Sequence, residues 1–119
     1  MNIEDFRLYC LAKKGVSESF PFDEHTLVFK VMGKMFALTG LERLPAQVNL
    51  KCDPDRSVEL RAHYDGLILP GYHMSKLHWN TVLLEEGLSN TLLEELIDHS
   101  YDLVVQGLTK KLKAELNAL

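Results

Sequence analysis

Cysteine is scarce in this chain. Only Cys10 and Cys52 occur, far apart and with no CxxC pair, so neither a disulfide framework nor a cysteine-built zinc site is written into it. Both thiols are expected to be reduced and semi-buried, as in a cytosolic protein. No apolar run approaches the roughly 20 residues that span a bilayer. The opening Met1-Asn-Ile-Glu-Asp-Phe-Arg7 lacks the basic and apolar regions of a signal peptide. No membrane partner is expected, and the location is read as cytoplasmic. Basic charge is also in deficit: 13 Lys and Arg against 17 Asp and Glu leave a net −4, which argues against a strongly electrostatic nucleic-acid binder. Repeats, linkers and low-complexity stretches are missing, so residues 1–119 read as one domain large enough for a core and expected to be monomeric.

What charge there is lies unevenly. Residues 25–51 and 66–84 together hold five basic residues and one acid, whereas the remainder holds eight basic and 16 acidic. The two base-rich segments are also those that read as sheet, while helices take the acids. Residues 2–14 fit a helix capped by Asn2 and ended by Gly15, with Ile3, Phe6, Cys10 and Leu11 on one face. Residues 17–22 are extended, and Pro21 suits an edge strand. Leu27–Met32 and Met35–Leu38 flank Gly33-Lys34, which predicts a hairpin with a two-residue type II′ turn and Lys34 at its tip. In that register Phe29, Val31, Phe36 and Leu38 face the core, and Lys30, Met32, Met35 and Ala37 take the other face.

Gln47–Cys52 alternates, with Val48, Leu50 and Cys52 inward and Gln47, Asn49 and Lys51 outward. Asp53-Pro54 starts a helix that runs to about Tyr64. Residues 77–84 read as a strand of uncertain parity. Residues 89–112 carry a three-and-four apolar periodicity that predicts one long helix, with Ser100 and Gly107 on the buried side as sites of close approach to the sheet. The order is helix–strands–helix–strands–helix. It predicts an α+β domain whose helices lie on one face of an antiparallel sheet, leaving the other face open.

The candidate working surface is Gly66–Leu84, which has no acid and packs Tyr72, His73, Lys76, His78, Trp79 and Asn80 into nine residues behind a Pro70-Gly71 turn. Lys30, Lys34, Lys51 and Lys76 supply cations for phosphates. Asn49, His73, His78 and Asn80 supply polar contacts, and Tyr72 or Trp79 can stack on a base. Each has an ordinary structural explanation too: turn lysines solubilise, and a tryptophan more often walls a core than stacks on a ligand. Other chemistries are weaker. His73 and His78, with His63 and Cys52, show no tight metal-ligand spacing, so neither metal nor cofactor is expected. No phosphate loop, nucleophile elbow or HExxH motif occurs, and His99 and Asp102 have only the spacing of a solvated helix face, so no catalytic residues are expected. The alternative to nucleic acid is a small-molecule or protein interaction module, with Met32, Met35, Tyr72 and Trp79 as an adaptable apolar surface.

Four segments, Phe29–Leu38, Asn49–Pro54, Pro70–Val82 and Ser100–Val104, resemble the MmcQ/YjbR family, with matching spacing along nearly the whole chain. The resemblance implies a bacterial domain of frataxin-like (CyaY-like) topology. It also implies a DNA-binding role through a "double wing" in which hairpin loops reach toward nucleic acid, and no established reaction. The chain departs from the family pattern at Ser75-Lys76-Leu77, where an extra polar or basic residue is common, which thins the positive charge.

Overall fold

The computed structural model describes residues 1–71 and 74–119, so the expectations placed on Tyr72 and His73 lie outside the described residues. Among the described residues six strands form one antiparallel sheet, ordered β1-β2-β3-β4-β6-β5. They are β1 (Val16–Ser19), β2 (Thr26–Val31), β3 (Lys34–Gly40), β4 (Gln47–Lys51), β5 (Ile68–Pro70) and β6 (Trp79–Leu83). The helices are α1 (Ile3–Leu11), α2 (Pro54–His63), α3 (Asn90–Gln106) and α4 (Lys110–Asn117). The layout matches the α+β order read from the sequence, with helices against one sheet face.

Each helix starts where a side chain can satisfy its free N–H groups. Asn2 and Asp5 form a reciprocal capping box on α1. The Asp53 carboxylate accepts from Arg56 N ahead of Pro54, Ser89 accepts from Leu92 N, and Thr109 accepts from Leu112 N. That last cap corrects the single 89–112 helix. The chain breaks at Gly107 and restarts at Thr109, a cap hidden under an apolar periodicity that runs on through both helices. Gly107 ends α3 and is exposed, so it makes no close approach to the sheet.

The main core lies between the helices and the sheet. Phe6 of α1 meets Phe29 edge-to-face at 5.6 Å, and Phe36 meets Tyr101 of α3 likewise at 5.5 Å. Val48, Leu50 and Cys52 join this core, as their alternation predicts, and so do Val82 and Leu84.

The β2–β3 hairpin differs from its predicted register. Val31 pairs with Lys34, so the turn residues are Met32 and Gly33, with φ of 49° and 82°. Two successive left-handed residues make a type I′ turn, and Lys34 is the first residue of β3 rather than the tip. The ladder then slips: Lys30 opposes Met35 and Phe29 opposes Ala37, which leaves Phe36 as an extra residue. A bulge of this kind turns two consecutive side chains toward one side. Phe36 and Ala37 both enter the main core, whereas Leu38 crosses to the other face and packs with Val28 and Trp79. The slip also interrupts β3–β4 pairing, which is regular only at Ala37↔Leu50 and Leu38↔Asn49. Ser100 of α3 fills the gap. Its hydroxyl donates to Phe36 O and accepts from Lys51 N at 2.8 Å.

Candidate functional site

Across the uncovered face the registers align Ser19, Val28, Leu38, Asn49, Thr81 and Leu69 in one row. A neighbouring row holds Ser17, Lys30 and Met35 on one side and Lys51 and Trp79 on the other. No acid stands in either row. The centre is apolar: Val28 is fully buried, Trp79 is 9% exposed, and Met35 and Met74 pack against them.

Lys30 lies near the end of β2, Lys34 starts β3, Lys51 ends β4, and Lys76 precedes β6. The hairpin turn and the Lys51↔Trp79 pairing put all four at the same end of the sheet. Lys34 and Lys51 line one shallow hollow of about 270 Å³, together with Met35 and the last turn of α3. Cys52 N donates to His78 O at 2.9 Å, which brings the exposed His78 to this end as well. None of the four lysines has a carboxylate partner among the described residues. The acid next in sequence, Asp53, is engaged in capping α2.

Asn80 is the correction within this segment. Strand parity turns it to the helix-covered side, where it is 3% exposed. Its Oδ1 accepts from Arg61 Nε at 2.8 Å and its Nδ2 donates to Ser57 at 3.2 Å. Arg61 also donates to the carbonyls of Trp79 and Lys76. Asn80 therefore ties α2 to the start of β6 and cannot reach a ligand on the open face. Trp79 does lie on that face, but as the floor of the apolar cluster rather than as a free platform.

From Met35 and Met74 near the lysine end, a groove of about 340 Å³ runs along the open face toward the opposite end of the sheet, where Phe22, Asp23 and Arg43 line it. Phe22, Met35, Leu38 and Met74 form its apolar walls, and Asn49 and Arg43 are polar members of its lining. Asn49 Oδ1 accepts from Thr81 Oγ1 at 2.6 Å, while its Nδ2 donates to no described residue. Asp23 sits at the rim. Its carboxylate accepts from His25 N and Thr26 N, and these bonds hold its pKa below the usual carboxylate value. Phe22, Arg43 and Met74 were not among the residues singled out from sequence. The available signal was Phe20-Pro21-Phe22, two aromatics around a proline between strands, and both rings are exposed.

The family model described as YjbR matches residues 11–103. The chain belongs to the YjbR family. Its YjbR relatives include Escherichia coli O157:H7 YbdF, 44% identical over 92 residues, covering 77% of this chain and 75% of that protein. Escherichia coli K12 YjbR is 34% identical with 88% of each chain covered, and Bacillus subtilis YyaQ is 31% identical, covering 84% of this chain and 95% of its own. All three are described as uncharacterised. A crystal structure of a Deinococcus radiodurans protein superposes with a TM-score of 0.90 at 43% identity, over 98% of this chain and 88% of that one. A Pseudomonas syringae protein gives 0.73 at 29% identity, over 87% and 98%. The YjbR match thus spans the whole sheet and most of α3. Among the described residues no helix is long and apolar enough to cross a membrane, and no group of three or more metal-ligating side chains occurs.

Proposed function

We propose that this YjbR-family protein binds nucleic acid through the uncovered sheet face and its lysine-rich end, without catalysing a reaction on it. The observation that carries this reading is the convergence of Lys30, Lys34, Lys51 and Lys76, from four separate segments, on one end of the sheet: Lys30 and Lys51 stand on the open face, whose strand rows hold no acid, and Lys34, paired with Val31, stands at the same end on the helix-covered side. In a chain of net charge −4 such a concentration needs a local reason. The type I′ hairpin and the described residues 74–78 ahead of β6 flank this end, and in this reading they are the parts that reach toward the ligand.

Fluorescence anisotropy of labelled DNA over a salt series tests the proposal. Four phosphate contacts give a log–log slope of about −3.6 on duplex DNA and about −2.8 on a single strand. Lys51→Glu with Lys76→Glu abolishes binding while the melting temperature holds. Unchanged affinity in that double variant retires this surface. The second reading is a small-molecule or protein interaction module, favoured by the apolar lining of the groove. It is distinguished by binding that salt barely alters, because apolar contacts release no counterions.

A further inference from the structure

We infer that the nucleic acid bound here is single-stranded, and that one unpaired base enters the groove between Phe22, Met35, Leu38 and Met74. This rests on the nucleic-acid reading above and names the form of its substrate. A duplex presents phosphate and sugar outward and keeps the apolar faces of its bases stacked inside. The lysine end alone would suit it, but the adjoining apolar groove would stay empty. A single strand has both kinds of surface: charge along its backbone and flat apolar rings that stack on protein side chains. The groove, at about 340 Å³, falls at the small end of ligand pockets, the right scale for one ring system rather than an extended ligand.

Three features orient that base. Asn49 has its amide turned by the bond from Thr81, so its Nδ2 is left to donate to an acceptor on the ring edge. Lys51 lies two residues along the same strand and on the same face, about 7 Å away, so a phosphate held there keeps its own base near Asn49. Asp23 and Arg43 both line the far part of the groove and their charges offset, so the net positive charge lies at the lysine end and the strand's backbone is held there. Phe22, 67% exposed, offers the ring on which the base stacks, and Met35 and Met74 are adaptable enough to accept either purine or pyrimidine.

The test compares three labelled probes of one length at fixed salt: a single strand, its duplex, and a strand in which most bases are replaced by abasic sites. The expected order is the single strand tightest, by tenfold or more over the other two. Phe22→Ala and Asn49→Leu should each weaken single-strand binding by about tenfold, the value of one stacked base, with the salt slope unchanged. Phe22 is exposed, so its variant folds even if Asn49→Leu does not. Equal affinity for all three probes, with the lysine double variant still impaired, overturns the base-in-groove inference and leaves the nucleic-acid reading standing. No binding to any probe overturns both.

Discussion

Replacing Asn80 separates structure from function in the segment that looks most functional. Asn80→Ala removes a bond from a guanidinium, of a kind worth about 1.5–3 kcal/mol, and a neutral bond to Ser57 worth roughly 0.5–1.5 kcal/mol. Arg61 is only half-buried, so water recovers part of the first. The expected loss is about 2–3 kcal/mol, a sizeable share of the 5–15 kcal/mol typical of a domain. For a chain of this size that lowers the melting temperature by on the order of 10 °C. Trp79 is the only tryptophan and is packed beside the affected residue, so its fluorescence during urea unfolding is a direct reporter. Asn80→Asp should cost less, because the carboxylate still accepts from Arg61 and Ser57 can reverse its hydroxyl to donate. Nucleic-acid affinity of Asn80→Ala, measured well below its midpoint, should match the parent. An Asn80→Ala protein that melts normally but no longer binds would refute the placement of this side chain inside the fold.

Further expectations concern the frame around the site. A Cβ at Gly71 would lie 2.8 Å from Trp79 Cβ and 2.9 Å from Trp79 O, so Gly71→Ala should cost about 1–3 kcal/mol in urea unfolding. The exposed Gly66→Ala, with a left-handed φ of 76° but open space around it, should cost only the backbone strain of about 1–2 kcal/mol. His99 Nε2 accepts from Asp53 N at 3.1 Å, and burial, then Arg56, holds its pKa below the ordinary 6.5. The folded state therefore favours neutral imidazole. The contribution is full above about pH 6.5 and is lost as pH falls through the depressed folded value. Stability curves of the parent and His99→Gln should converge in acid and diverge toward neutrality, or run parallel if the reasoning is wrong. Burial pushes the Cys10 thiol up to about 12, so alkylation at pH 8 should follow global unfolding and stall in the native protein.

What the sequence revealed depended on whether a feature was local. Val48, Leu50 and Cys52 alternate without interruption, and their strand lies as read. Asp53-Pro54 carries its own cap chemistry, and α2 begins there. The β2–β3 register failed because a period of two cannot register one inserted residue. The slip at Phe36 is set by Tyr101 and Ser100, some 65 positions further on. Thr109 is a sound cap, but apolar residues on both sides of the break keep the same phase, so periodicity masked it. Asn80 was assigned to the surface by the company it keeps, and only strand parity and the reach of Arg61 from another element place it inside. The lysines were found individually. Their convergence follows from the topology, which brings the ends of β2 and β4 beside the starts of β3 and β6.

The bridge made by Ser100 has a consequence for the order in which the molecule assembles. Regular pairing between β3 and β4 amounts to two positions, closed at one end by Ser100 and at the other by Thr39 Oγ1 donating to Gln47 O. The sheet is thus two three-stranded pieces, β1-β2-β3 and β4-β6-β5, joined by a narrow seam. The hydroxyl that completes the seam belongs to a helix made after every strand. During synthesis the pieces can form early, yet their union waits for α3 to leave the ribosome and dock. Until then the facing edges of β3 and β4 hold unpaired backbone groups, so a chain stalled before residue 100 would be the form most prone to pair with its neighbours.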